Sequence, residues 1–312
     1  MLQIAPMVDW TNSPFRLMMR LLLPKAKLFT EMIVPQAIIR HAQRYLSYYP
    51  LENPLVLQLG GSDSYDLLKA ARIAQDMGYQ EINLNLGCPS ERVQAGQFGA
   101  CLMTQKSLVL ECLSHLKAHL DIPVTAKTRI GVDEHDSYEF FEDFVDGLYS
   151  TGIDELVVHA RKAWLKGLNP KQNRTIPPIQ YDYVHRIKEK YPKLPMIING
   201  DLKTIEQMQT QLEYVDGVML GRLACDNPML IQAFHQTIYP SIKVLNREEA
   251  INEYFSIIAQ ENFSKHSLSI YLKPLFNLYH GTIDAKRWRQ VLQNAIKCKS
   301  MTSILENWQR VI

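Results

Sequence analysis

Eight short apolar runs, each separated from the next by enough chain for a helix, constrain the fold of this sequence more than any other feature. They fall at residues 2–7, 27–30, 55–59, 82–86, 124–128, 156–159, 196–199 and 217–220. Between them lie stretches of helical period such as 64–77, 106–120, 137–148 and 204–212. Strand-length runs alternating with amphipathic helices point to a parallel sheet with crossover helices. Eight such units in about 240 residues match a closed (β/α)8 TIM barrel. The expected fold class is therefore α/β, with a barrel over residues 1–240. After Tyr239-Pro240 the strand-like runs stop, and residues 241–312 read as a small all-helical C-terminal domain. Its first helix has a capping-box start, Asn246-x-x-Glu249, followed by Ile251, Tyr254, Phe255 and Ile258 at the spacing of a core-facing stripe.

Composition narrows the class. With 46% hydrophobic and 21% charged residues the 312-residue chain reads as an ordinary globular protein able to bury a large core. No apolar run approaches the roughly 18 residues of a membrane span. The N-terminus, Met1-Leu2-Gln3-Ile4-Ala5-Pro6-Met7, carries no readable targeting leader, so the expected compartment is the cytoplasm, with no membrane partner. Cys88, Cys101, Cys112, Cys225 and Cys298 are odd in number and lack Cys-x-x-Cys spacing, which favours free thiols over disulfides or a zinc ribbon. The net charge of +2 is unevenly spread, because residues 241–312 carry ten Lys/Arg against six Asp/Glu. Residues 160–178 hold Arg161, Lys162, Lys166, Lys171 and Arg174 without one acid. Both segments suit a polyanionic partner, although a basic loop is equally often a solvated surface.

The end of each expected strand carries polar or special residues: Pro6-Met7, Glu31, Gln58, Asn85 with Cys88, Lys127 with Arg129, His159 with Arg161, Asn199-Gly200, and Gly221-Arg222. In a β/α barrel that rim holds the active site. One polar residue there is as readily a loop hydrogen-bonder, but eight in succession point to an active site. Gly200 and Gly221-Arg222, after strands seven and eight, propose a phosphate site, since glycine lets backbone N–H groups approach an anion and arginine adds a charged fork. No dinucleotide fingerprint or Walker loop is present, and flavin mononucleotide (FMN) suits a barrel best. Lys127 could instead form a Schiff base, but the neighbouring Arg129 fits a lasting positive charge beside an electron-rich ring. No metal is expected, as His159 lacks partners at ligand spacing. Cys88 lies on a Gly87-Cys88-Pro89 turn, where a thiol serves chemistry better than packing, whereas Cys101, Cys112, Cys225 and Cys298 read as buried hydrophobes.

Taken in order, Ala5-Pro6-Met7, Thr30-Glu31-Met32, Gln58-Leu59-Gly60-Gly61, Asn85-Leu86-Gly87-Cys88-Pro89, Lys127-Thr128-Arg129, Asn199-Gly200-Asp201 and Gly221-Arg222 resemble the tRNA-dihydrouridine synthases over nearly the whole chain. The segment from His159 to Leu168 resembles the bacterial A-type branch. The resemblance implies an enzyme in which NADPH reduces bound FMN and hydride then reaches C6 of a D-loop uridine, position 20 or 20a in that branch. It implies FMN contacts at Ala5, Pro6, Met7, Gln58, Lys127, His159, Asn199, Gly200, Asp201, Gly221 and Arg222. It also implies that Cys88 protonates C5, that Asn85 holds the uracil edge, and that Arg129 lies on the substrate side.

A base reduced inside a barrel mouth must leave its stack, so the protein must grip the RNA backbone. Lys171, Arg174, Arg287 and Gln290 are the expected contacts. No obligatory protein partner is implied. Two rivals stay open at this point: an FMN barrel that reduces a free pyrimidine or other small molecule, and a non-enzymatic RNA-binding protein.

Overall fold

The computed structural model describes residues 1–259 and 268–299. Eight parallel strands close a barrel in sequence order: β1 (Leu2–Ile4), β2 (Lys27–Ile33), β3 (Leu55–Leu59), β4 (Glu81–Leu86), β5 (Val124–Arg129), β6 (Leu156–His159), β7 (Met196–Asn199) and β8 (Gly217–Leu220), with β8 pairing back to β1. All eight expected runs are strands. The first is shorter than expected: Ala5 N–H still reaches Leu220 O at 2.8 Å, but Pro6 has no N–H with which to continue the ladder. The second is longer, resuming after an irregularity between Phe29 and Met32 to pair Met32 with Gln58 and Ile33 with Leu59.

Successive side chains alternate between the barrel interior and the surrounding helices. Ala5, Phe29, Val56, Val157, Ile197 and Met219 meet in the interior as an apolar layer, with Met7 packed against it. Below that layer the interior is charged. Lys27 Nζ lies 2.7 Å from Glu81 and 3.0 Å from Glu155, and Gln3 Nε2 donates to Glu155 at 2.8 Å. Burial pushes the Lys27 ammonium down, and the two carboxylates more than reverse this, leaving it above its ordinary value. The expected helices appear as Ser64–Asp76, Lys106–His119, Tyr138–Ser150 and Ile205–Leu212, the last opened by a Thr204/Gln207 capping box. No helix among the described residues is long and apolar enough to cross a membrane.

The chain forms two compact units whose division differs from the expected boundary at residue 240. One holds Met1–Val8, Lys27–Tyr48 and Asn53–Gly221; the other holds Asp9–Ala26, Tyr49–Glu52 and the described residues from Arg222 onward. The helix Ser13–Leu22 joins the second unit because it packs on Pro228–Ile238, Arg247–Ala259 and Leu268–Leu272. Arg16 ties it to Glu52 at 2.5 Å. The predicted capping box is present, with Asn246 N–H donating to Glu249 at 2.8 Å and Glu249 N–H to Asn246 at 2.9 Å. Ile251, Tyr254, Phe255 and Ile258 are buried, as their spacing requires. Residues 260–267 and 300–312 of the expected helical segment lie outside the described residues.

Candidate active site

The C-terminal rim is built by residues that alternate inward along each strand. On β4 these are Glu81, Asn83 and Asn85, and on β5 Thr125, Lys127 and Arg129. Asn85, just before the strand ends, accepts from Gly87 N–H at 3.2 Å and Cys88 N–H at 3.0 Å, and its amide nitrogen donates to Gln58 at 2.8 Å. Asn85 therefore holds the turn that presents Cys88. The turn is closed from below by Ala100 N–H to Cys88 O at 2.9 Å. Gly99 is needed there: its φ is +79°, and a Cβ would come within 2.5 Å of Cys88 O. The Cys88 thiol is half-buried, 3.7 Å from Ser90 Oγ. Cys112 and Cys225 are buried with thiols pushed up to about 12 by burial, whereas Cys101 is half-buried and Cys298 exposed. The last two correct the expectation of uniformly buried cysteines. Cys298 lies off the Trp288, Leu292, Ala295 stripe that its helix buries.

Lys127 reaches only Asn199 Oδ1, at 3.3 Å, and makes no ion pair among the described residues. Burial and the neighbouring Arg129 bring its pKa down to about 7, with Cys88 opposing the shift. His159 is buried, and burial followed by the charges of Arg129, Lys127, Arg161 and Arg174 holds it well below its ordinary value. It is a neutral imidazole at neutral pH. Beside it Gly200 has φ +125° and stands so close that a Cβ would lie 2.9 Å from the imidazole. Asp201 also has positive φ, at 52°, and its carboxylate is held by Arg161 at 3.2 Å and Lys203 at 2.9 Å. Tyr181 OH donates to Gly200 O at 2.5 Å. Arg161 is 5% exposed and its Nε has no partner among the described residues. Lys127 thus has no carboxylate partner among the described residues, and Arg161, although paired with Asp201, keeps one buried N–H unmet, so the rim fits an anionic, acceptor-rich group such as a flavin phosphate.

Arg129 stands at the C-terminal end of β5, where the sequence places it. It is 3% exposed, and its guanidinium donates to three backbone carbonyls: Gly87 O at 2.8 Å, Lys162 O at 2.9 Å and Asn173 O at 3.0 Å. It clasps the cysteine turn to the basic loop after β6. Gln94 forms a second clasp, donating to Pro89 O at 2.9 Å and Leu165 O at 2.8 Å. Inside the loop the buried Asn173 caps both directions, accepting from Trp164 N–H at 2.7 Å and donating to Leu168 O at 3.0 Å. Of the loop's five cations, Arg161 is buried and Lys162 is paired with Asp136 at 2.6 Å, leaving Lys166, Lys171 and Arg174 exposed.

A family model described as dihydrouridine synthase matches residues 3–311. The chain belongs to the dihydrouridine synthase family. It is 45% identical over 305 residues to a tRNA-dihydrouridine(20/20a) synthase of Pasteurella multocida, covering 97% of this chain and 93% of the relative. It is 46% identical to the protein of that name from Shewanella oneidensis, over 94% of this chain and 88% of the relative. The Synechocystis protein of that name is 45% identical, with 94% and 89% covered. Among solved structures a 2-naphthoyl-CoA reductase complex superposes with a TM-score of 0.59 at 9% identity, covering 77% of this chain and 50% of that one. That likeness concerns the barrel fold alone.

In this dihydrouridine synthase, Gln58, Asn85, Cys88, Lys127, His159, Asn199, Gly200 and Asp201 occupy one rim of the first unit, on β3 to β7 and the turns that follow. Ala5 and Gly221 are neighbours, with a Cβ on Gly221 falling 3.7 Å from Ala5 Cβ and from Met7 Sδ. Pro6 lies between Ala5 and Met7. Arg222 begins the second unit's helix Arg222–Asp226. Arg287 and Gln290 are exposed on the helix Ala285–Cys298 of that unit, and Gln290 donates to Asn294 at 2.9 Å. The residues missed in the sequence are Asn83, Thr125, Gln94, Asn173 and Tyr181. Asn83 and Thr125 had a signal: Glu81-Ile82-Asn83-Leu84-Asn85 alternates polar and apolar, which in a barrel marks a polar interior. No metal-binding group of three His, Cys, Asp or Glu occurs among the described residues.

Proposed function

We propose that this protein is a cytoplasmic tRNA-dihydrouridine synthase that uses FMN and NADPH to reduce the C5–C6 bond of D-loop uridines 20 and 20a. The relatives' shared name and nearly full-length identity support the reaction and substrate. One observation carries the assignment of chemistry to residues: a thiol on a turn held by Asn85 stands beside Lys127, a buried lysine whose hydrogen bond goes to a neutral amide. When bound there, FMN recharged by NADPH supplies the hydride that adds to C6 of the uracil ring. Lys127, His159, Asn199, Gly200, Asp201, Gln58, Ala5, Pro6, Met7 and Gly221 hold the cofactor, and Arg222 joins them by its place after Gly221. Cys88 gives its thiol proton to C5, which neutralises the enolate charge that builds as C6 is attacked. Lys127 and Arg129 offset the thiolate left behind, and solvent returns its proton. Asn85 has a second amide hydrogen beyond the one given to Gln58, free for a uracil carbonyl.

Lys171, Arg174, Arg287 and Gln290 grip the tRNA backbone. Arg174→Ala combined with Arg287→Ala should weaken tRNA binding and lower the log–log salt slope by about 1.5, the share of two phosphates on a largely single-stranded site. Filter binding between 50 and 200 mM salt measures this, and an unaltered slope would remove both residues from the interface.

Lys127 sets a pH dependence. Its value of about 7 lies below the ordinary 10.5, so the unfolded chain binds more protons across that interval. Stability therefore rises with pH from about 7 to 10.5. An anionic cofactor recharges the amine, so FMN affinity for the flavin-free protein should fall as pH rises above 7, by up to about tenfold per unit. Flavin fluorescence titration at pH 6 to 9 reads this effect, and Lys127→Met should flatten it. An equally steep profile in the variant would assign the effect to another group.

The deciding experiment is the visible spectrum of the purified protein, followed by incubation with NADPH and tRNA lacking dihydrouridine and mass-spectrometric mapping. Reduction at position 20 or 20a is expected. A flavin spectrum with untouched tRNA would favour a small-molecule reductase, and protein that binds tRNA but takes up no flavin would overturn the enzyme.

A further inference from the structure

The interior of the barrel contains a chain of side-chain hydrogen bonds whose lower members, Glu81, Thr125 and Asn83, the proposed chemistry does not use. Glu81 Oε1 accepts from the Thr125 hydroxyl at 2.8 Å, and Thr125 Oγ1 accepts from Asn83 Nδ2 at 2.9 Å. Asn83 Oδ1 accepts from Gln58 Nε2 at 2.8 Å, and Gln58 Oε1 accepts from Asn85 Nδ2 at 2.8 Å. Asn85 Oδ1 ends the series on the N–H groups of Gly87 and Cys88. Every member is at most 8% exposed, so water cannot substitute for a lost partner without a cavity.

We propose that Thr125 and Asn83 are positioning residues that transmit a single hydrogen-bond polarity from the ion pair on the barrel floor to the amides of Gln58 and Asn85 at the rim. The argument rests on the two ends. A carboxylate only accepts and a backbone N–H only donates, so the ambivalent groups between them have one consistent orientation. Burial raises the Glu81 carboxyl above its ordinary value, and Lys27, 2.7 Å from its other oxygen and also paired with Glu155, opposes this and favours the carboxylate at the floor end. Thr125 has one hydroxyl proton, which goes to Glu81 or, at 3.4 Å, to Ile82 O. In both cases Thr125 Oγ1 faces Asn83 as an acceptor. Turning the Asn83 amide over would set oxygen against oxygen on one side and nitrogen against nitrogen on the other. The same holds for Gln58 and Asn85 in turn.

The consequence at the rim is chemical. Each amide nitrogen carries two hydrogens and spends one in the chain, so Gln58 and Asn85 offer N–H donors, not carbonyls, to whatever lies above them. Such a rim selects ligand edges rich in acceptors. That these ligands are a flavin and a uracil rests on the function proposed above; the polarity itself does not.

The test separates the two. In flavin-free protein labelled with nitrogen-15 at Asn and Gln, the side-chain amide signals of Gln58 and Asn85, assigned by single substitution, should each form one set. Thr125→Val keeps the branched shape and removes the hydroxyl, so both signals should shift or split, although Gln58 and Asn85 do not touch residue 125 directly. Thr125→Ser should restore the wild-type spectrum. In the flavin-loaded enzyme Thr125→Val should slow reoxidation by tRNA about tenfold, the scale of one orienting hydrogen bond. Unmoved Gln58 and Asn85 signals in Thr125→Val would overturn the proposal, as would a serine variant as altered as the valine one, since that would assign the position to packing. If Thr125→Val fails to fold, Glu81→Gln, whose amide can donate where the carboxylate could not, should shift the Gln58 signal; an unshifted Gln58 signal would overturn the proposal. A wild-type protein inert toward tRNA would refute the function and leave the amide spectra to decide the polarity.

Discussion

Cys88→Ala is expected to keep its flavin and reduce it with NADPH at close to the normal rate, yet lose dihydrouridine formation by about 10²- to 10⁴-fold. The split follows from where the thiol stands. Cys88 is anchored through its backbone, by Asn85 to its N–H and by Ala100 to its carbonyl, so losing the sulfur leaves the turn in place. The thiol's hydrogen bond is a long one, to Ser90 Oγ at 3.7 Å, and the side chain is half-buried. Removed is a proton donor beside Lys127 and Arg129, both of which carry the electrostatic mark of Cys88 in their shifted pKa values. Rapid mixing of reduced enzyme with tRNA, with flavin absorbance and dihydrouridine followed together, separates the half-reactions. A variant that reoxidises on tRNA at the wild-type rate would show that C5 takes its proton elsewhere, and one that loses flavin would show that the turn needs the thiol.

How much of this was legible in the sequence depends on whether period or tertiary approach decides a residue's place. Strands β3, β6, β7 and β8 begin and end where their apolar runs do, because a fully buried parallel strand has no other composition available to it. The capping box at Asn246 and Glu249 is a local device and was equally readable. Thr125 was hidden inside a run read as apolar, although its alternation with Ala126 and Lys127 carries the signal. The helix Ser13–Leu22 shows the opposite limit: its association with the helices after Arg222 depends on contacts with residues more than 200 positions away, which no local pattern announces. The basic loop lies between these cases. Its charge was evident, but that Arg161 is buried beside Asp201 while Arg174 is exposed follows from the backbone path set by Asn173 and Arg129.

Arg129 has two readings, a substrate-side residue and a clasp between two loops, and Arg129→Met distinguishes them. If the guanidinium acts as a clasp, methionine leaves the carbonyls of Gly87, Lys162 and Asn173 without their donor in a site that is 3% exposed. An unmet buried polar group costs about 1–3 kcal/mol, so a loss of at least about 3 kcal/mol is expected, read as a lower urea midpoint. Lysine should recover little, since one ammonium cannot span three carbonyls arranged for a planar fork. Gln94 still joins Pro89 to Leu165, so the loop should loosen rather than detach, and trypsin should cleave first within residues 161–174. tRNA reduction should then fall because the cysteine turn and the RNA-gripping loop no longer keep a fixed separation. If Arg129 instead only met the substrate, Arg129→Met would keep the wild-type urea midpoint and protease pattern while losing activity. That result would return Arg129 to the substrate side and leave the tie between the two loops to Gln94 alone.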